Sequence, residues 1–378
     1  MVWWLKILAG MRAFGQVRDS RMSAEPVPNP GDTSGRSPHR RRRRYAGKYP
    51  RRFDEKYKEH DPQRYSGIAA KVLASGKTPA GTHRPIMVSE ILKVLEPKPG
   101  EGAADCTLGY GGHAQELLAR MQPGGWLLGL DADPIEILKT ESRLRALGYG
   151  PNSFTAHRTN FAGLTKVLAA GGVPGVDMVL ADLGVSSMQL DDPARGFSFK
   201  HEGLLDMRLN PNRGQPASAL LAKIAPLALA TLLAENADEP RADLLAQALA
   251  GRRCQTTTEL ARAVRAALPQ IESAEQELSV RRVFQALRIA VNDEFSALDA
   301  LLRQLPHCLN PGGRAAILTF HSGEDRRVKK TFEAGVRAGW YSDCAREVIR
   351  PTGDERHANP RSAAAKLRWA RRSEVLIS

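Results

Sequence analysis

The sequence predicts an α/β protein: a parallel-rich sheet of the Rossmann-like kind carrying an inserted helical domain. Three observations predict it. Short runs that are apolar on successive residues alternate with segments of helical periodicity, as in βαβ units. The first of these runs leads into a glycine-rich turn, and the second ends in an acid. Between the third and fourth runs, from about Ser187 to Ala290, lies an interval too long for a simple crossover and rich in helical patterns.

In chain order, residues 1–82 mix Pro, Gly, Ser and Arg without sustained periodicity and hold the run Arg40 to Arg44. Residues 1–84 carry nineteen Lys/Arg against seven Asp/Glu, so +12 of the net charge of +14 sits there and the remaining body is almost neutral. This reads as a basic, disordered N-terminal arm. Its arginines can neutralise phosphates, and Tyr45, Tyr49, Phe53 and Tyr57 can stack on unpaired bases; a solvated tail without a role is the alternative.

From His83 the strands begin. AADC (103–106), WLLGL (126–130), DMVLA (177–181) and RAAILTF (314–320) are apolar at consecutive positions, the mark of strands buried on both faces. Within the insertion, APLALATLLAEN, ADLLAQALAG and TTTELARAVRAAL space their apolar residues by three and four, and Thr256 with Glu259 forms a capping-box pattern. SVRRVFQALRIAVNDEFSALDALLRQL then places Val280, Phe284, Leu287, Val291, Phe295, Leu298 and Leu302 on one stripe, which predicts one long helix returning the chain to the sheet. The expected organisation is an arm over 1–82, a core over 83–187 plus 291–378, and a helical substrate-recognition insertion over 188–290.

Bulk properties narrow the function. The 42% hydrophobic and 25% charged fractions are those of an ordinary globular protein, and no apolar run reaches the roughly 18 residues of a membrane span. The opening MVWWLKILAG has no basic residues ahead of its apolar stretch and no clear cleavage site, so a cytoplasmic protein is expected. Cys106, Cys254, Cys308 and Cys344 are scattered without a C-x-x-C pair, which argues against a disulfide framework and a zinc site.

The candidate site lies at the strand ends. Asp105 closes the first strand, Gly109, Gly111 and Gly112 form the turn into a helix, and Asp131 closes the second strand, where a carboxylate can accept hydrogen bonds from both ribose hydroxyls. This nucleoside-cofactor pattern also fits a dinucleotide. The full G-x-G-x-x-G spacing for a pyrophosphate is missing, because the residue three beyond Gly112 is Gln115, and that favours an adenosyl sulfonium methyl donor. Asp182, ending the third strand, either orients the donor's amino acid portion, accepts a hydrogen bond from a substrate amine, or caps the next turn. His321 and Ser322 follow the fourth strand and would face the same crevice.

Taken together, DCTLGYGGH, LDADP, DLGVSSMQLDDPARGFSF, VFQALRIAVNDE, LTFHSGEDRRVKKTF and NPRSAAAKLRWARR resemble the bacterial small-subunit ribosomal RNA cytosine-N4 methyltransferases, the RsmH (MraW) type, from about His83 to Arg371. The resemblance implies a class I methyltransferase core and S-adenosyl-L-methionine as cofactor. Its donor-binding positions fall on Gly111, Gly112, His113, Asp131, Phe161, Asp182 and Gln189. It implies 16S ribosomal RNA as partner, no membrane, and a monomer or homodimer. Two departures stand out: Gly323 sits where the family pattern FHSLEDR has leucine, and the basic arm is longer than in most relatives.

The reaction implied is N4-methylation of a cytidine in the decoding region by direct displacement. Asp182 is the leading acceptor for the amine, with His321, Ser322 and Asp191 as further candidates for cytidine contact. Carbon methylation would need a cysteine nucleophile beside the base, and none of the four cysteines has that setting. DLGVSS replaces the Asn/Asp-Pro-Pro-aromatic turn common in amino-methylating enzymes. Arg281, Arg282, Arg288, Arg361, Arg368, Arg371 and Arg372 can grip phosphates or simply solvate the surface. A nicotinamide-dependent oxidoreductase and a non-catalytic RNA-binding assembly factor are the rival classes.

Overall fold

The computed structural model describes residues 85–374; the basic arm and its aromatic residues lie outside the described residues. Seven strands form one sheet in the order β3-β2-β1-β4-β5-β7-β6. Strands β1 (Gly102–Asp105), β2 (Trp126–Asp131), β3 (Phe154–Arg158), β4 (Val176–Asp182) and β5 (Leu309–Thr319) pair in parallel, while β7 (Lys366–Arg372) runs antiparallel between β5 and β6 (Tyr341–Cys344).

The consecutive apolar residues of the central strands have a direct cause. Ala103, Met178 and Leu180 point to one face, where α1 (Val88–Leu95), α2 (Gly112–Met121) and α3 (Pro134–Ala146) bury Leu95, Leu117, Leu118 and Leu144. Ala104, Val179 and Ala181 point to the other, against Leu164 and Leu168 of α4 (Leu164–Ala170) and Leu298, Leu301 and Leu305 of a later helix. With both faces covered, neither set can be polar.

Three strands lie outside the four apolar runs. Edge strand β3 reads FTAHR and buries only Phe154; edge strand β6 reads YSDC and buries its two ends. Strand β7 reads KLRWARR, and its charged residues tolerate a central position because Arg368, 6% exposed, is paired with Asp325 at 2.6 Å.

Between β4 and β5 come α5 (Ser187–Asp191), α6 (Ala217–Lys223), α7 (Pro226–Ala237), α8 (Ala242–Leu249), α9 (Thr257–Ala266), α10 (Ser273–Asn292) and α11 (Glu294–Cys308). Helices α6 to α10 share an apolar cluster that includes Leu221, Leu233, Leu249, Leu260, Val280, Phe284 and Leu287. The Thr256–Glu259 capping box is present at the start of α9.

The single long helix expected over 279–305 is instead two. Asp293 takes a left-handed conformation, φ 51°, and ends α10 before α11 begins. The break is held from both sides. Arg288 donates twice to Glu294, at 2.9 and 2.7 Å, and the Asn292 amide bonds Met207 and Leu209 of the preceding loop. The stripe of apolar residues survives because Phe284 and Leu287 pack in the insertion while Leu298 and Leu302 pack on the sheet. Helix α12 (Ser322–Arg337), α13 (Gly353–Ala358) and the short turn 360–364 complete the chain. No helix among the described residues is long and apolar enough to cross a membrane.

Candidate active site

The carboxyl ends of β1, β2 and β4 open into one cavity of about 1050 Å³. That exceeds the roughly 300–1,000 Å³ common for small-molecule sites, so a nucleoside-sized donor leaves room for a second group.

One wall is built from the glycine turn. Gly109 and Gly111 have φ of 48° and 72°, and a Cβ on Gly111 would meet Thr140 at 2.6 Å, so only glycine fits there. Helix α3 supports this turn from beneath: the Thr140 hydroxyl donates to the Gly109 carbonyl, and the Arg143 guanidinium donates to the Tyr110 carbonyl while stacking over its ring. Asp131 accepts the Gly109 and Asp133 N–H groups, both at 2.7 Å, and burial pushes its carboxyl up to about 6.

The floor holds a tighter set. Asp105, 1% exposed, accepts from the Thr107 N–H at 3.1 Å, and its carboxyl is raised to about 6, chiefly by burial. The Thr107 hydroxyl in turn accepts from the Asp182 N–H at 2.6 Å, stapling the ends of β1 and β4 together. Asp182 stands 3.5 Å from His113 Nε2, a buried nitrogen with no hydrogen-bond partner that faces the cavity. An unpaired buried polar atom is costly unless a ligand completes it. Cys106 lines the cavity as well, and burial pushes its thiol well above the usual range, which disfavours the thiolate.

Gly111, Gly112, His113, Asp131, Phe161, Asp182 and Gln189 therefore all line this one cavity. Phe161 is set by Asn160, whose side chain accepts from the Ala162 N–H. Gln189 is locked twice, accepting from the Ser186 N–H and donating to Asp133, each at 2.9 Å.

The three remaining candidates stand behind the wall. His321 opens α12 with its ring beside Phe295 and its Nε2 3.1 Å from Glu324. Ser322 donates at 2.5 Å to Asp238, the residue that caps the end of α7. Asp191 accepts from Arg361 at 2.5 Å, and it is Arg361 that lines the cavity. Of the arginines read as phosphate grips, Arg288 and Arg361 line the cavity, whereas Arg368 is tied into the sheet by Asp325 and Arg372 donates to the Leu309 carbonyl.

A further part of the lining was only half marked by the motifs. It comprises the loop residues Leu209, Asn210, Asn212, Arg213 and Gly214 together with Asn292, Asp293 and Glu294 at the α10–α11 break. Asn292, Asp293 and Glu294 close the motif VFQALRIAVNDE, whereas the loop residues belong to no quoted motif, and nothing in the spacing shows that loop and break meet, because they do so only through the fold.

A parallel sheet with a glycine turn after β1, an acid after β2 and a buried imidazole lining the cavity is the arrangement of an S-adenosylmethionine-dependent methyltransferase. The MraW methylase family matches residues 80–373, and the chain belongs to that family.

Among its relatives, ribosomal RNA small subunit methyltransferase H 1 of Lachnoclostridium phytofermentans is 48% identical over 341 residues, covering 88% of this chain and 93% of the relative. The H 1 protein of Agathobacter rectalis is 46% identical, covering 89% and 98%. Matches of that span reach back into the basic arm. The methyltransferase H of Symbiobacterium thermophilum, 38% identical, matches over 76% of this chain and 95% of its own length.

Proposed function

We propose that this enzyme methylates the exocyclic N4 of a cytidine in the decoding region of 16S ribosomal RNA within the small subunit. The observation that carries the reading is one cavity flanked by Asp131 on one side and Asp182 on the other, with volume to spare beyond a nucleoside. Its relatives are named as ribosomal RNA small subunit methyltransferases, which supports a ribosomal substrate and with it a cytoplasmic enzyme.

The residues present fit the donor. Asp131 offers the remaining lone pairs of a carboxylate to ribose hydroxyls, Gly111 and Gly112 let backbone approach, and His113 Nε2 lacks a partner that a bound ligand can supply. Phe161 and Gln189 complete the donor side. When bound, S-adenosylmethionine supplies an electrophilic methyl group on a sulfonium.

Asp182 accepts a hydrogen bond from the cytosine amine, holding its nitrogen in line for attack. The amine lone pair is delocalised into the ring, so the amine would shed its proton only late in methylation. Asp182 takes that proton. Asp191 contributes by holding Arg361 at the rim, while His321 and Ser322 order the start of α12 behind the wall. The helices over 188–290 supply the RNA-recognition surface, and the enzyme acts as a monomer or homodimer.

The test is methyl transfer from a labelled donor to small subunits lacking the modification, followed by nucleoside analysis. N4-methylcytidine is expected with the wild type, and a loss of at least about a hundredfold with Asp182→Ala. Label recovered in another nucleoside, or none above background, rejects the reading.

A further inference from the structure

Asp133 is fully buried, belongs to none of the donor positions above, and sits at the centre of a bonded path between the two halves of the cavity. Its N–H donates to Asp131 at 2.7 Å, on the ribose side. One carboxylate oxygen caps α3 through the Ile135 and Glu136 N–H groups. The other accepts from Gln189 at 2.9 Å and from Arg195 at 2.7 Å. The second arm of the Arg195 guanidinium donates to the Arg208 and Leu209 carbonyls, at 3.1 and 2.9 Å.

These carbonyls begin the loop that forms the far rim. Immediately beyond them, Asn210, Asn212, Arg213 and Gly214 line the cavity opposite the glycine turn. From the other side Asn292 accepts from the Leu209 N–H at 2.7 Å and donates to the Met207 carbonyl at 2.8 Å. Met207 itself is left-handed, φ 63°, a conformation that a non-glycine residue holds only when its surroundings impose it. The rim is thus gripped between Arg195 and Asn292, and only the Arg195 grip leads to the donor side.

We propose that Arg195 is a positioning residue that links donor binding to the setting of the substrate rim, through Gln189 and Asp133 on one side and the 208–209 carbonyls on the other. This rests on the donor reading above. A guanidinium suits the task because its planar fork serves a carboxylate and two carbonyls at once, which an ammonium cannot do. Filling the donor side fixes Gln189 and Asp131, which holds Asp133 and Arg195 and so orders residues 207–214 to receive the target nucleotide. By reciprocity, RNA seated at the rim tightens the donor by the same factor.

The experiment is amide hydrogen exchange on the full chain with and without saturating S-adenosylhomocysteine, on wild type and Arg195→Lys. The lysine keeps a cation against buried Asp133, so the ion pair and the fold persist. In the wild type the probe is expected to slow exchange at Met207–Gly214 by about fivefold or more. In Arg195→Lys that effect falls below about twofold, while protection at Gly109–His113 remains. Donor affinity without RNA should be little changed, whereas the KM for small subunits at saturating donor and the KM for donor at saturating subunits should both rise about tenfold.

A wild type that binds the probe without slowing the rim overturns the linkage, whatever the variant does. So does a variant whose rim responds as fully as the wild type's. If calorimetry detects no heat with S-adenosylhomocysteine, the donor reading fails and the linkage fails with it.

Discussion

Asp105 and Asp131 are carboxyls forced into a buried site, and their pH behaviour follows from that. Both are raised to about 6, so both are ionised at neutral pH and protonate as the pH falls through 6. A protonated Asp131 loses acceptor capacity for ribose hydroxyls, so affinity for S-adenosylhomocysteine should fall between about pH 7.5 and 5.5, and Asp131→Asn should weaken and flatten that profile in calorimetry. Stability moves the other way. Between about pH 4 and 6 the native state holds these protons more tightly than the unfolded chain, so the ionised forms cost stability above that window. Asp105→Asn should therefore raise Tm at about pH 8 by a few degrees, leave it unchanged near pH 4, and reduce methyl transfer. Gly323 shows a different logic. A Cβ there would lie 2.7 Å from Phe295 Cζ, so the Phe295 ring occupies the space that the leucine of the family pattern needs. Gly323→Leu should cost about 1–3 kcal/mol by urea denaturation, and a double-mutant cycle with Phe295→Leu should recover about 1 kcal/mol or more of it.

At the scale of elements, the decisive feature is the break between α10 and α11. Periodicity runs through it unbroken, so a window of apolar spacing reads one helix; Asp293, Asn292 and the Arg288–Glu294 pair read it as a corner. Asp293→Gly removes the cost of a left-handed aspartate and should be neutral or slightly stabilising, whereas Asp293→Val should cost about 1–2 kcal/mol and lower activity, because the corner lines the cavity. Helix α9 behaves as its sequence promises. Thr256 accepts from the Glu259 N–H and Glu259 reaches back to the Thr256 N–H, so Thr256→Ala should lose about 1 kcal/mol in the same assay. Strands β3, β6 and β7 escaped the apolar-run criterion for physical reasons: two lie at sheet edges, and the third compensates a buried arginine with Asp325.

Across the whole molecule, charge is unevenly divided. The body that carries the sheet, the insertion and the cavity is nearly neutral, and the arm holds most of the positive charge. The longer matches among the relatives extend into that arm. Deleting residues 1–82 should leave donor affinity intact, weaken binding to small subunits several-fold and reduce the slope of log K against log salt. Unchanged affinity and slope on the subunit would remove the nucleic-acid role of the arm. The body also shows why the site needs its insertion. One half of the cavity is made by the ends of β1, β2 and β4 with the starts of α2 and α5, while further lining comes from the loop after α5 and the corner after α10.

The sequence by itself determined the parallel core, the glycine turn and the acids at three strand ends, because each is a local consequence of residue type: consecutive apolar residues for strands buried on both faces, glycine where φ is positive, carboxylates where strands end. Only the tertiary structure decided that Asp133, Thr107, Thr140, Arg143 and Arg195 hold those positions in place, that His321 and Ser322 lie behind the wall, and that one apolar stripe bends at Asp293. Those outcomes depend on contacts between segments distant in the chain, where a side chain's partner is set by packing geometry and burial, and no spacing within a motif encodes either.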